Sequence, residues 1–172
     1  KAGTSVTIKP NPNIDASPAQ FTERQAVLNE LEKMITEIHE SVNDMRSVQN
    51  QLSHYKKMLK DNQKAEELLK KGDSLSKRIT SWEENLIQTQ QKTFQDVINF
   101  NNKLNSEVLY LKDFIDTPIP QVTTGSKQRL QDLKKDWQTY KSERDAIINT
   151  EMEAYNAMYT TLRLPALMLK KE

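Results

Sequence analysis

The stretch Ser17–Leu59, SPAQFTERQAVLNELEKMITEIHESVNDMRSVQNQLSHYKKML, decides the fold, because it is the longest unbroken run of helical periodicity in the chain. Leu31, Ile38, Met45, Leu52 and Leu59 recur every seven residues. Phe21, Leu28, Ile35 and Val42 keep the same repeat three residues earlier, and Val27, Met34, Val48 and Tyr55 widen the stripe. Apolar groups at this spacing share one face of an α-helix, which predicts a core-facing helix. Its start is marked by Ser17 as N-cap, Pro18 at the first helical position and Gln20 three residues after the cap, the pattern of a capping box. At 1.5 Å per residue this helix spans roughly 60 Å, too long for a domain unless other long helices lie along it. Gln49 and Lys56 place polar groups on the stripe, so its far end is expected to be thinner and wetter than its start.

The rest of the chain supplies the partners. Ala65, Leu68, Gly72, Leu75, Ile79, Trp82 and Leu86 predict a helix over 63–90. Gly72 falls on its stripe, and because the repeat keeps phase across it, the reading is one helix with a close approach at Gly72 rather than two short helices hinged there. The pattern lapses over 91–100, a connecting loop. Leu104, Val108, Leu111 and Ile115, flanked by Leu109 and Phe114, predict a short third helix that must end before Pro118. Residues 117–125, with two prolines, form a crossover. A fourth helix opens around Ser126 and carries Leu130, Leu133, Trp137, Tyr140, Ile147, Ile148, Ala154, Tyr155, Met158 and Leu162. Arg144 interrupts its stripe, a position where a long stem can lie along apolar surface while its head reaches water. The apolar tail 162–169, crossing Pro165, is expected to fold back over one end. The fold class is therefore all-α: an elongated antiparallel four-helix, up-and-down bundle of three long helices and one short, occupying 17–172 after an extended segment over 1–16.

Composition agrees. Charged residues make up 28% and aromatics 6% of 172 residues, with three glycines, which favours long helices over sheets and tight turns. Lys+Arg 25 against Asp+Glu 24 leaves no uniform basic surface, so nucleic acid is not an expected partner. No cysteine is present, which excludes disulfides and thiolate metal sites. Near the start, Thr4-Ser-Val-Thr-Ile8 alternates as a strand does, with Val6 and Ile8 on one face, and then Pro10 and Pro12 impose an extended linker. A lone strand cannot satisfy its own ladder, so this segment reads as frayed or, preferably, as the last strand of an upstream sheet domain. The start at Lys1 rather than at a methionine fits a piece of a longer protein.

No residue set converges on chemistry. His39 and His54 lie fifteen positions apart on one helix, about 22 Å along its axis, too far to share a metal. Glu66-Glu67, Glu83-Glu84 and Glu151 with Glu153 read as solvated faces, because general acid/base work needs carboxylates that meet across a cleft. Lys56-Lys57, Lys70-Lys71 and Lys134-Lys135 sit beside acidic residues and read as mixed-charge surface. Trp82 and Trp137 fall on apolar stripes, as core anchors do. Phosphate-cradling glycine loops, zinc helices and nucleophile elbows are absent from the sequence. No catalytic, metal or cofactor site is expected.

Several stretches carry a resemblance: Val6-Thr-Ile-Lys-Pro-Asn-Pro12, the helix start at Ser17-Pro18, Gln95-Asp-Val-Ile-Asn-Phe100 leading into Lys103-Leu-Asn105, and Glu151-Met-Glu-Ala-Tyr-Asn156 with Leu164-Pro165 after it. Over nearly its whole length the chain resembles the C-terminal helical region of sortilin-like, BNR-repeat (glycosyl-hydrolase-like) bacterial β-propeller proteins. The resemblance implies a preceding propeller with Asp-box repeats and a small β-sandwich, in an extracytoplasmic parent. This chain contains no Asp-box, so no catalytic or ligand-binding residue of the family can be placed on it.

The function expected is that of a non-catalytic structural or interaction module whose partner is a protein, either the rest of its own parent or another chain. A lipid-surface-binding amphipathic bundle is the alternative, with a membrane the less favoured partner. One outcome follows from the capping box lying beyond the first linker. Deleting residues 1–13 should leave helical circular dichroism and the thermal midpoint almost unchanged, and a large loss of stability would show that the segment packs along the bundle.

Overall fold

The computed structural model describes residues 3–9 and 11–164, and within them the protein is an all-α bundle. The elements are α1 (Pro18–Leu59), a 3₁₀ turn (Gln63–Ala65), α2 (Glu66–Leu86), a 3₁₀ turn (Phe94–Ile98), α3 (Leu104–Ile115) and α4 (Thr124–Ala146). A π-helical turn (Ile147–Met152) and α5 (Glu153–Thr161) complete them. α1 starts where its sequence says: the Gln20 amide donates to Ser17 Oγ at 3.4 Å, and the Ser17 amide donates to Gln20 Oε1 at 2.8 Å. The two amides of the capping box are thereby satisfied. Asn62 opens the next element by accepting from the Lys64 amide at 3.1 Å. Thr123 caps α4 by accepting from the Ser126 amide at 3.1 Å.

Interhelical side-chain contacts fix the directions. Along α1 and α2 the pairs Lys56–Asp73, Gln49–Thr80 and Arg46–Glu83 run in opposite order, so these helices are antiparallel. His39–Asn105, Glu32–Lys112 and Arg24–Thr117 show that α3 is antiparallel to α1 as well. α2 and α3 therefore point the same way, one stacked beyond the other along the α1 rod. α4 runs parallel to α1, through Glu23–Lys127, Glu30–Lys134 and Glu37–Lys141. The four-helix bundle expected from sequence has all its helices, but a strict up-and-down alternation is not what the contacts give. The architecture is three rods: α1 up, α2 and α3 together down, and α4 with its π turn and α5 up. The reason is length, since a 21-residue helix covers half of a 42-residue one and a second short helix is needed for the remainder.

The core follows the sequence stripe. Leu31, Ile38, Met45 and Leu59 of α1 meet Leu68, Leu75, Ile79, Trp82 and Leu86 of α2, and Val108, Leu111 and Ile115 of α3. From α4 come Leu130, Leu133 and Trp137, followed by Ile147 of the π turn. Continuing α spacing from Ile147 would bring Ala154 inward. The wider π turn takes up an extra residue, and it is Tyr155 that is buried. The 3₁₀ turn Phe94–Ile98 lies within the stretch read as plain loop. Asp96 builds it, accepting from the Lys92 and Thr93 amides at 2.9 Å each. Residues 3–9 form neither helix nor strand and are exposed. Of the tail expected to fold back, residues 165–169 lie outside the described residues; Leu164, before them, packs half-buried against the core.

Gly72 lies inside the unbroken α2, which settles the hinge alternative in favour of close packing. A Cβ there would sit 3.2 Å from Tyr155 Cε2 and 3.5 Å from Leu52 Cδ2. The glycine costs α2 about 1 kcal/mol of helix propensity relative to alanine, and that cost allows the Tyr155 ring to lie against the backbone. Gly72→Leu should therefore destabilise by about 1–3 kcal/mol through overpacking, read as a lower thermal midpoint. An unchanged or raised midpoint would show that the site is looser than this geometry.

Candidate functional site

The residues singled out by chemistry are dispersed. His39 Nε2 lies 3.0 Å from Asn105 Oδ1 across α1 and α3, whereas His54 packs its ring edge against Tyr55, with centroids 6.5 Å apart. Among the described residues no group of three His, Asp or Glu side chains gathers to hold a metal ion. Glu66 and Glu67 both hold Lys70, at 2.9 and 3.0 Å. Glu151 faces Arg78 at 3.8 Å, beside Glu143 at 3.6 Å from the same guanidinium. Lys56 pairs with Asp73 and Lys134 with Glu30, each at 2.7 Å. Both tryptophans are core anchors with satisfied N–H groups: Trp82 donates to the Tyr140 carbonyl at 2.8 Å, and Trp137 to Glu37 Oε2 at 2.9 Å.

Two charged residues differ from their sequence reading. Glu83 is not on a solvated face; it is 6% exposed and accepts from Arg46 Nε at 2.9 Å. A buried carboxylate without a partner would be costly, and Arg46, half exposed on α1, supplies the partner. The head of Arg144 does not simply reach water. Its Nη1 donates to Ser41 Oγ at 2.6 Å and its Nη2 to Asp145 at 2.9 Å. Ser41 is itself buried, so its hydroxyl needs this donor.

The cleft in the thinner half of the bundle is small. Gln49, Leu52, Ser53 and Lys56 of α1 face Leu69, Gly72, Asp73 and Ser76 of α2 across about 190 Å³, with Tyr155 contributing to the lining. Ligand sites for small molecules usually enclose about 300–1,000 Å³, so this space suits one side chain at most. Burial, with Tyr55 and Tyr159 close by, pushes the Tyr155 phenol above its ordinary range, and it stays neutral.

The surface that stands out is on α3. Leu104, Val108, Leu111 and Ile115 face the core, yet Tyr110 and Phe114, one turn apart on the flank of the helix, are 70% and 57% exposed. Ile119, just after the helix, is 62% exposed. An exposed aromatic flank of this kind ordinarily has a covering partner, and none of the described residues supplies one. Arg24 ties this region to the start of α1 by donating to the Thr117 carbonyl, so one pole of the bundle carries the end of α3 and, beyond Ser17, residues 3–9 with Val6 and Ile8 exposed. The sequence reading placed Leu109 and Phe114 beside the stripe and did not single out Tyr110. The signal was present as apolar residues at 109, 110 and 114, out of phase with 104, 108, 111 and 115.

Compared with protein-family models, with curated proteins and with solved structures, the chain gives no match. No helix among the described residues is long and apolar enough to cross a membrane.

Glu37 links α1 to α4 and titrates. The Trp137 hydrogen bond, together with the Lys141 ammonium, outweighs burial and holds its carboxyl below the usual range. With the folded pKa depressed, this group stabilises the fold above its unfolded pKa of about 4.3, and the contribution is lost as pH falls through the lower folded value. Glu37→Gln should cost less than about 1 kcal/mol at neutral pH, since the site is a third exposed, and the difference from wild type should vanish on acidification. Denaturant titrations at pH 7 and pH 3 test this; a difference that grows at low pH would contradict it.

Proposed function

We propose that the chain is a non-catalytic helical module that braces or presents a larger protein, as the C-terminal part of an extracytoplasmic, β-propeller-containing parent of the sortilin-like, BNR-repeat kind. The observation that carries the interaction role is the exposed aromatic flank of α3. Stable monomers scatter their exposed apolar residues, whereas Tyr110 and Phe114 stand one turn apart on α3 with Ile119 just after its end, two of the three being aromatic anchors of the kind that dominate binding energy. The assignment to a propeller-bearing parent is supported by the sequence stretches that carry the resemblance and by the extended, exposed segment ahead of α1.

The test is association of this chain with the remainder of its parent, supplied as a separate polypeptide. Tyr110→Ser with Phe114→Ser should change the stability of the isolated bundle by no more than about 0.5 kcal/mol, because both side chains are exposed. The same pair should weaken association about tenfold or more. Absence of association would remove the bracing role. Sedimentation with vesicles containing anionic lipid addresses the competing reading: binding that rises with anionic lipid and falls in the double variant would transfer this surface to a membrane.

A further inference from the structure

We propose that the pole carrying the start of α1 and the end of α3 docks onto the open edge of a β-sheet. Residues 4–9 enter as an added strand, while Tyr110, Phe114 and Ile119 pack against the domain that bears the edge. The inference rests on the reading that the bundle braces a β-rich parent, and it names the surface and the mode of attachment.

Two independent exposures point to one partner. The first is the segment Thr4-Ser-Val-Thr-Ile-Lys9, rich in β-branched residues, in which Val6 and Ile8 are 83% and 93% exposed. Its backbone belongs to no ladder and contributes none of the turn and loop hydrogen bonds found among the described residues. Alternating β-branched residues with unpaired amides and carbonyls are what strand addition uses: the backbone supplies affinity, and the alternate side chains supply specificity. The second exposure is the outer side of α3. A turn over 11–14, closed by the Ile14 amide donating to the Asn11 carbonyl at 3.1 Å, separates the segment from α1. Ile8 lies nine residues before Ser17, a reach of at most about 30 Å. One domain of ordinary size can therefore touch both surfaces.

Charge narrows the partner further. Asp113, one residue before Phe114, and Asp116, the C-cap of α3, are exposed and form no ion pair among the described residues, so this end of the helix carries uncompensated negative charge. A partner that reaches the end of α3 should therefore carry Lys or Arg there, while the acceptor strand presents an apolar face to Val6 and Ile8.

Hydrogen exchange followed by mass spectrometry tests this on the polypeptide encoded by the full reading frame, beside the 172-residue chain alone. In the short chain, amides 4–9 should exchange at free-chain rates; in the full polypeptide they should slow about 100-fold or more. Val6→Pro with Thr7→Pro removes a ladder donor whichever edge of the segment pairs, and should abolish that protection with helical circular dichroism unchanged. Tyr110→Ser with Phe114→Ser should reduce it about tenfold. Free-chain exchange of 4–9 in the full polypeptide would overturn the inference; if bundle and remainder still melted as one unit, the bracing role would stand. Separate melting, or a reading frame without a β domain, would remove both. Protection that appears in the short chain and rises with its concentration would assign the strand's partner to a second copy and overturn the inference as well.

Discussion

The apolar stripe of α1 must be covered from end to end. Its 42 residues carry that stripe for about 60 Å, and no other element between Leu59 and Ile115 is long enough to match it. Hence α2 and α3 divide the task, with the chain leaving helix at Ile87 and resuming at Leu104 without reversing direction. The polar contacts of the interior collect near this break. Arg46 with Glu83, Arg144 with Ser41, and Trp82 with the Tyr140 carbonyl all lie where α2 gives way to α3. Each contact has a particular partner, whereas an apolar stripe tolerates sliding.

The third rod is set by a different device. Glu23, Glu30 and Glu37 recur every seven residues on α1, and Lys127, Lys134 and Lys141 answer them at the same interval on α4. Equal spacing on both helices lets all three pairs close together, and they do so here with α4 parallel to α1. Surface ion pairs contribute little energy each, and a row of like lysines reads the same in both directions, so the orientation comes from the chain reversing between Ile115 and Thr124 while the pairs match the spacing. The π turn then shifts the buried line by one residue, which places Tyr155 against Gly72 and lets the far end of the rod close over the narrow half of α1.

Much of this was legible in the sequence because it is local. The capping box at Ser17, the stop before Pro118 and the close approach at Gly72 are written in neighbouring residues, and each is found where the pattern placed it. What the pattern could not express is which element lies against which. A stripe shows that one face is buried and says nothing of direction, so α3 was read as the third stroke of an alternating bundle. Glu83 reads with Glu84 as solvated, although it lies four residues after Ile79 and three before Leu86, the spacing of the buried line itself. Arg144 keeps the same spacing between Tyr140 and Ile147. In both, the stripe position was a better guide to environment than charge. The outer side of α3 was hidden for the opposite reason, since apolar residues near a stripe look like part of the core.

Because α1 passes unbroken beneath the gap between α2 and α3, the bundle has no joint at its middle. A bend there would have to break helical hydrogen bonds in α1 and part α4 from it as well. The α3 surface, level with Glu32, and the site where Gly72 and Tyr155 pack against Leu52 lie twenty residues apart along α1 and are thus held at a fixed separation of about 30 Å. Mechanically the protein is a strut: whatever is fastened at one end is kept at a set distance from the other, and a pull along the axis is borne by a continuous helix rather than by a loop.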